Sequence, residues 1–210
     1  MNTKQPTMAI YGGNFKPPGL HHRTIAEHLT KAFDFTCVVP CGSRKDKATI
    51  ASIPALQQKQ LVELNFADLQ LTFDHFDLFA DHFTPTYNLD KRFRAIYPDR
   101  EIIHVIGVDL VSGGSTGTSE IQTKWFRGHE VWDKLQFAVV VPDNAPFDMA
   151  DAPPNSRIIP ISTLYGRSTV IRQLLAAHSL EAAHYLMPEV YEYILGNQLF
   201  GTSAGKGVHA

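Results

Sequence analysis

The chain has 210 residues, 44% of them hydrophobic and 19% charged, with a formal net charge of −2. That composition excludes a disordered polyelectrolyte and allows one full-sized core. The near-neutral balance gives no general pull toward nucleic acid or an anionic membrane, so any anion site must be local. No apolar run approaches the ~20 residues of a membrane helix, and the opening MNTKQPTMAI lacks the apolar stretch of an export signal. The expectation is a cytoplasmic protein with no nucleic-acid or membrane partner; composition leaves homo-oligomerisation open.

In chain order, Met8-Ala9-Ile10-Tyr11 reads as a short buried strand. Ile25, Leu29 and Phe33, four apart, mark one face of a helix that starts near Leu20 or His21. Two glycines and two prolines forbid regular structure between them. FTCVVP (35–40) is a second buried strand, and PALQQKQLVELNFADL (54–69) is a helix. LQLTFDHFDLF (69–79) reads as a strand whose later half alternates. NLDKRFRAIYP (88–98) is a helix stopped by Pro98, and EIIHVIGVD (101–109) is a strand. SGGSTGTSE (112–120) reads as a flexible loop. HEVWDKL (129–135) is helical, QFAVVVP (136–142) and SRIIPI (156–161) are strands, and STVIRQLLAAH (168–178) is a helix. PEVYEYIL (188–195) is a last helix, with Pro188 in the favoured first turn.

Strands that are almost wholly apolar suggest a sheet covered on both faces, and their alternation with helices suggests parallel βαβ units. The expected fold is α/β: a doubly wound, mainly parallel sheet with helices on both faces and its ligand site beyond the carboxyl ends of the strands. One domain is expected over 1–198, with 199–210 a disordered tail. Cys37 and Cys41, four apart across a strand end, are too far apart for a disulfide and read as one buried and one loop thiol in a reducing compartment.

Three stretches fall at strand ends, where such a fold places its site. At the first, Gly12 and Gly13 let backbone approach a ligand closely, and the following helix aims free N–H groups at the same point, beside His21 and His22. The spacing is neither G-x-G-x-x-G nor G-x-x-x-x-G-K-S/T, which argues against an ordinary dinucleotide fold and a P-loop. In GRSTVIR (166–172), Ser168 reads as a helix cap followed by Thr169, with Arg172 one turn on, a fitting cradle for a polyphosphate. IGVD (106–109) ends a strand with Gly107 and the carboxylate of Asp109, suited to ribose hydroxyls. SRKDK (43–47) adds three cations after the second strand, either a solvated loop or a grip on phosphates.

Together these stretches resemble the nicotinate/nicotinamide mononucleotide adenylyltransferases of the nucleotidyltransferase superfamily. The family's G-G-[ST]-F-D-P-x-H-x-G-H is similar to Gly12-Gly13-Asn14-Phe15-Lys16-Pro17-Pro18-Gly19-Leu20-His21-His22. Its S-T-x-I-R resembles Ser168-Thr169-Val170-Ile171-Arg172, and its closing Y-L-V-P-x-x-V-x-x-Y-I resembles Tyr185 to Ile194. A lysine after the second strand matches Lys47, and a lysine-tryptophan pair matches Lys124-Trp125.

The resemblance implies a Rossmann-like nucleotidyltransferase fold and adenylyl transfer from ATP to nicotinate or nicotinamide mononucleotide, with Mg²⁺ held mainly through the ATP phosphates. It places Gly12, Gly13, Asn14, Phe15, His22, Gly107, Asp109, Ser168, Thr169 and Arg172 at ATP. Lys47, Thr86 and Trp125 go to the mononucleotide, and His22, His21, Lys47 and Arg172 to the chemistry. The chain departs from the pattern where Lys16 replaces aspartate, Gly19 replaces the first histidine, His21 takes the place of glycine and Arg167 that of a serine. Either His21 reaches the phosphate that the missing histidine would contact, or turnover is lost and a nucleotide-binding homologue remains. Transfer to another phosphorylated acceptor is the nearest alternative activity.

Overall fold

Short aliphatic strands alternate with helices along the chain. The computed structural model, which describes residues 5–42, 53–162, 164 and 166–202, arranges them around one six-stranded sheet. The strands are β1 (Thr7–Gly13), β2 (Phe35–Pro40), β3 (Thr72–Phe73), β4 (Glu101–Gly107), β5 (Gln136–Pro142) and β6 (Ser156–Ile161). Their order is β3-β2-β1-β4-β5-β6, and every neighbouring pair is parallel. The order reverses between β1 and β4, so the loops leaving these two strands part to opposite sides and open a crevice at the carboxyl edge.

The helices are α1 (Leu20–Ala32), α2 (Ala55–Asn65), α3 (Phe76–Phe79), α4 (Thr86–Ile96), α5 (Glu120–Lys124), α6 (Gly128–Lys134), α7 (Ser168–Ala176) and α8 (Pro188–Gly196). Successive residues of β1 serve both faces. Ala9 and Tyr11 pack with Leu29 of α1 and with Val62 and Phe66, while Met8 and Ile10 pack with Leu89 and Phe93 of α4. That double covering explains the unbroken apolar run. Further along the sheet, Ile106, Phe137 and Val139 pack under Val131 and Trp132 of α6. Among the described residues no helix is long and apolar enough to cross a membrane.

Several expectations need correction. The strand read at 69–79 shrinks to Thr72–Phe73, and α3 follows it. The backbone N–H of Asp74 still donates to the Val38 carbonyl, but its carboxylate accepts from the N–H of Phe76 and turns the chain. The stretch 112–120 is a knotted turn rather than a free loop. The Asp151 carboxylate accepts from the N–H groups of Gly113 and Ser115 and from the Ser115 hydroxyl. Leu199 and Phe200 are buried in the cluster around α7 and α8. Cys41, expected as a loop thiol, is buried like Cys37.

Candidate active site

The loop after β1 turns back on itself and feeds α1, whose N-cap is Gly19 in an extended conformation. Glycine has no capping side chain, and the imidazole of His22 serves instead: its Nδ1 accepts the Gly19 N–H at 3.1 Å. In the neutral ring the proton therefore sits on Nε2, which makes that atom a donor. Phe15 meets the His22 ring edge-on, with centroids 5.0 Å apart, and the His21 ring lies 3.9 Å from it.

Gly19 and His21 share one space. A β-carbon on Gly19 would fall 2.9 Å from the His21 ring and 2.8 Å from the Ile171 side chain. The imidazole two residues on thus occupies the volume into which a side chain at 19 would grow. Among the described residues the buried Nδ1 of His21 has no hydrogen-bond partner. Burial lowers the His21 pKa to about 4. Burial, reinforced by the adjoining His21, holds His22 well below the ordinary histidine range. At neutral pH the pair is uncharged and offers N–H groups rather than positive charge.

Residues 168–172 close the other wall. The cap of α7 is Arg167, not Ser168. Ser168 is already helical, and its hydroxyl donates to the Pro17 carbonyl at 2.9 Å, a bond between positions remote in sequence that local capping rules cannot foresee. Arg172 donates to the Lys16 carbonyl at 2.6 Å and to the Thr169 hydroxyl at 3.1 Å. The starts of α1 and α7 are therefore stitched to the same turn. Their free first-turn N–H groups and partial positive charge lie side by side, a setting that favours anionic oxygens.

Gly12 and Gly13 end β1 against Val39 and Pro40 of β2. Asn14 follows, and its side-chain oxygen lies 3.7 Å from the Cys41 sulfur. Gly107 ends β4, and Asp109 is exposed in the short helical turn after it, its carboxylate folded back within 2.6 Å of where a Gly107 β-carbon would stand. Thr86 opens α4. Trp125 is half-buried at the end of α5, in the cluster around Val111 and Trp132. Tyr87 brings the α4 start to the segment after Trp125, meeting Phe126 edge-on and accepting a 2.8 Å hydrogen bond from Arg127. Lys47 lies outside the described residues.

Sequence reasoning missed Gln58. Buried in α2, it donates from Nε2 to the carbonyls of Asn14 at 2.7 Å and Cys41 at 3.4 Å, and so ties the carboxyl ends of β1 and β2 together. A glutamine among the neighbours Gln57 and Gln60 carries no signal that marks it as the inward one.

No protein-family model matches the chain. It is 26% identical over 205 residues, covering 92% of its length and 96% of the relative's, to the "Probable nicotinate-nucleotide adenylyltransferase" of Oceanobacillus iheyensis. It is 25% identical over 201 residues to the protein of the same name from Methylacidiphilum infernorum, covering 92% of this chain and 91% of that one. Its fold matches the Plasmodium falciparum nicotinic acid mononucleotide adenylyltransferase complexed with NaAD, with a TM-score of 0.75, 18% identity, and coverage of 94% of this chain and 98% of that chain. The resemblance read from the motifs thus holds both in curated homologues along nearly the whole chain and in the fold.

Proposed function

We propose that this chain is a cytoplasmic adenylyltransferase that joins ATP to nicotinate mononucleotide, the acceptor for which its relatives are named. The 5′-phosphate oxygen of the mononucleotide attacks the α-phosphorus of ATP in line. The new P–O–P bond forms as the bond to the β-phosphate breaks, pyrophosphate leaves, and a dinucleotide results. The protein's task is then to align two polyanions and to meet the charge that builds on the α-phosphoryl and leaving oxygens.

The observation that carries this reading is the shared turn. Ser168 and Arg172 of α7 hold the carbonyls of Pro17 and Lys16, and the Ile171 side chain abuts Gly19 at the head of α1. Two helix starts and two imidazoles therefore serve one place. His22, its Nδ1 occupied by Gly19, presents Nε2–H to the α-phosphoryl oxygens. His21, filling the space left by the side-chain-free Gly19, supplies a second neutral donor there. Arg172 and Thr169 hold the outer phosphates together with the first-turn N–H groups of α7, while Ser168 braces the turn. Gly12, Gly13, Asn14 and Phe15 bring backbone against the nucleotide, and Asp109 with Gly107 receives the adenosine ribose. Trp125 walls the pyridine ring beside Thr86, and Lys47 joins the phosphates.

Mg²⁺ would arrive on the triphosphate. Among the described residues no group of three or more His, Cys, Asp or Glu could cage it, and phosphate oxygens with water are its usual ligands in such sites. Bound there, it neutralises charge on the leaving pyrophosphate.

Incubation with ATP, Mg²⁺ and nicotinate mononucleotide should give equal amounts of dinucleotide and pyrophosphate. ATP binding with no product from any mononucleotide would overturn the catalytic reading.

A further inference from the structure

We infer that Tyr87 and Arg127 form a latch that sets the pocket for the acceptor's base. They hold the start of α4 against the turn between α5 and α6, and so fix Thr86 relative to Trp125. Both act through those neighbours, as positioning residues. The latch stands on its own contacts; its role toward the pyridine ring rests on the adenylyl-transfer reading.

The turn gives the first sign. The Gly128 N–H donates to the Trp125 carbonyl at 2.9 Å, so residues 125–128 make a tight turn with Arg127 in third place. Arg127 has φ 56° and ψ 38°, in the left-handed region. Glycine or asparagine usually takes such a place, because a β-carbon makes it costly. A glycine does stand one position on, but a different demand fixes it there. A β-carbon at Gly128 would collide with the Ile121 carbonyl, so only glycine lets α6 begin this close to α5. An arginine kept on strained backbone beside Trp125 points to a task for its side chain.

That task lies 40 positions back in the chain. The Arg127 guanidinium donates to the Tyr87 hydroxyl at 2.8 Å and lies over the Tyr87 ring, 4.3 Å from its centroid. The hydroxyl in turn donates to Glu130 at 3.4 Å, and Glu130 pairs with Arg127, which closes a network of three. Phe126 meets the same ring edge-on, and the Lys91 ammonium stands 4.5 Å from its centroid. Exposed pairs of this kind add little to stability one by one. A planar guanidinium held to both the face and the hydroxyl of one tyrosine fixes geometry instead. Tyr87 and Trp125 also pack, both half-buried, on the cluster around Val111 and Trp132. Thr86 precedes Tyr87 and Trp125 opens the latched turn, so the two sides of the base pocket are carried by the two halves of the latch.

The test compares the wild type with Arg127→Gly, Tyr87→Phe and the double variant. Arg127→Gly should keep the urea midpoint, since glycine suits the backbone there. It should raise KM for nicotinate mononucleotide by about tenfold, with KM for ATP within about twofold and kcat within about threefold. Tyr87→Phe loses the hydroxyl, keeps the ring and leaves the turn's backbone untouched, so it should shift the same KM in smaller measure. The double variant should be no worse than Arg127→Gly alone, because the two side chains form one contact. Without any ligand, acrylamide should quench tryptophan emission more strongly in Arg127→Gly, as Trp125 loosens while Trp132 stays buried. Equal rises in both KM values, additive effects in the double variant, or a lower urea midpoint with both KM values unchanged would each overturn the latch. If the wild type forms no dinucleotide, the adenylyl-transfer reading fails by itself. The quenching comparison still decides the latch, and equal quenching in wild type and Arg127→Gly contradicts it.

Discussion

On the β1 side of the cleft the polar groups already hold one another. His22 caps Gly19, Ser168 and Arg172 hold the turn at Pro17 and Lys16, and Gln58 bridges Asn14 to Cys41. On the β4 side Asp109 is exposed, and Trp125 and Thr86 are half-buried at the ends of their helices. The first side is fastened by its own hydrogen bonds; the second presents its polar groups to solvent. Preorganised donors lower a barrier because they need no rearrangement as charge develops, whereas groups that settle on binding contribute mainly affinity. Substitutions on the β1 side should therefore change rate and stability together, and those on the β4 side affinity alone.

The largest effect should come from His22→Ala, which removes a donor and the Gly19 cap at once. We expect turnover to fall by ~10²-fold or more, the usual result of deleting one transition-state donor. Steady-state kinetics at saturating ATP would show it, and a wild-type rate would remove His22 from the chemistry. Gly19→Ala should come next. Its β-carbon has no room beside His21 and Ile171, so overpacking should cost ~1–3 kcal/mol in urea unfolding, with a fall in turnover as His21 is displaced. Unchanged stability and rate would show that the two residues do not compete for space.

Arg172→Ala should weaken ATP binding by roughly tenfold, the worth of one charge-assisted contact, and should lower melting temperature as the Lys16 turn loosens. Asp109→Asn on the open side should leave stability within ~0.5 kcal/mol and alter only the affinity for ATP. A marked loss of stability there would break the contrast between the two sides.

The last effect is on stability against pH. His21 titrates near 4 in the folded protein against 6.5 when free. Between these values the unfolded chain binds the proton and the folded one does not, so stability should fall as pH drops from about 6.5 toward 4, with no contribution from this group above that window. His21→Asn should flatten the slope. A slope unchanged in the variant would contradict the burial of this ring.

The central strands were legible because both faces of each are covered, which leaves continuous apolar runs, as at Met8–Tyr11 and Phe137–Val141. The edge was not: β3 pairs through two residues only, and the alternation at 69–79 mixed an edge strand with the start of α3. The glycines and imidazoles of the site could be read from their place at strand ends, since βα topology fixes where those ends lie. Their fastenings could not. The bond from Ser168 to Pro17 spans 151 positions, and Lys16, a surface residue by type, lies in a largely buried turn beside the start of α2. Local patterns encode elements, but contacts between elements depend on how those elements dock.

The central claim is that His22 and Arg172 face one bound triphosphate. A crystal structure with a non-hydrolysable ATP analogue and Mg²⁺ tests it most directly. The account predicts phosphate oxygens within about 3 Å of His22 Nε2 and of the Arg172 guanidinium in one molecule. Phosphates bound elsewhere, with either side chain turned away from them, would contradict it.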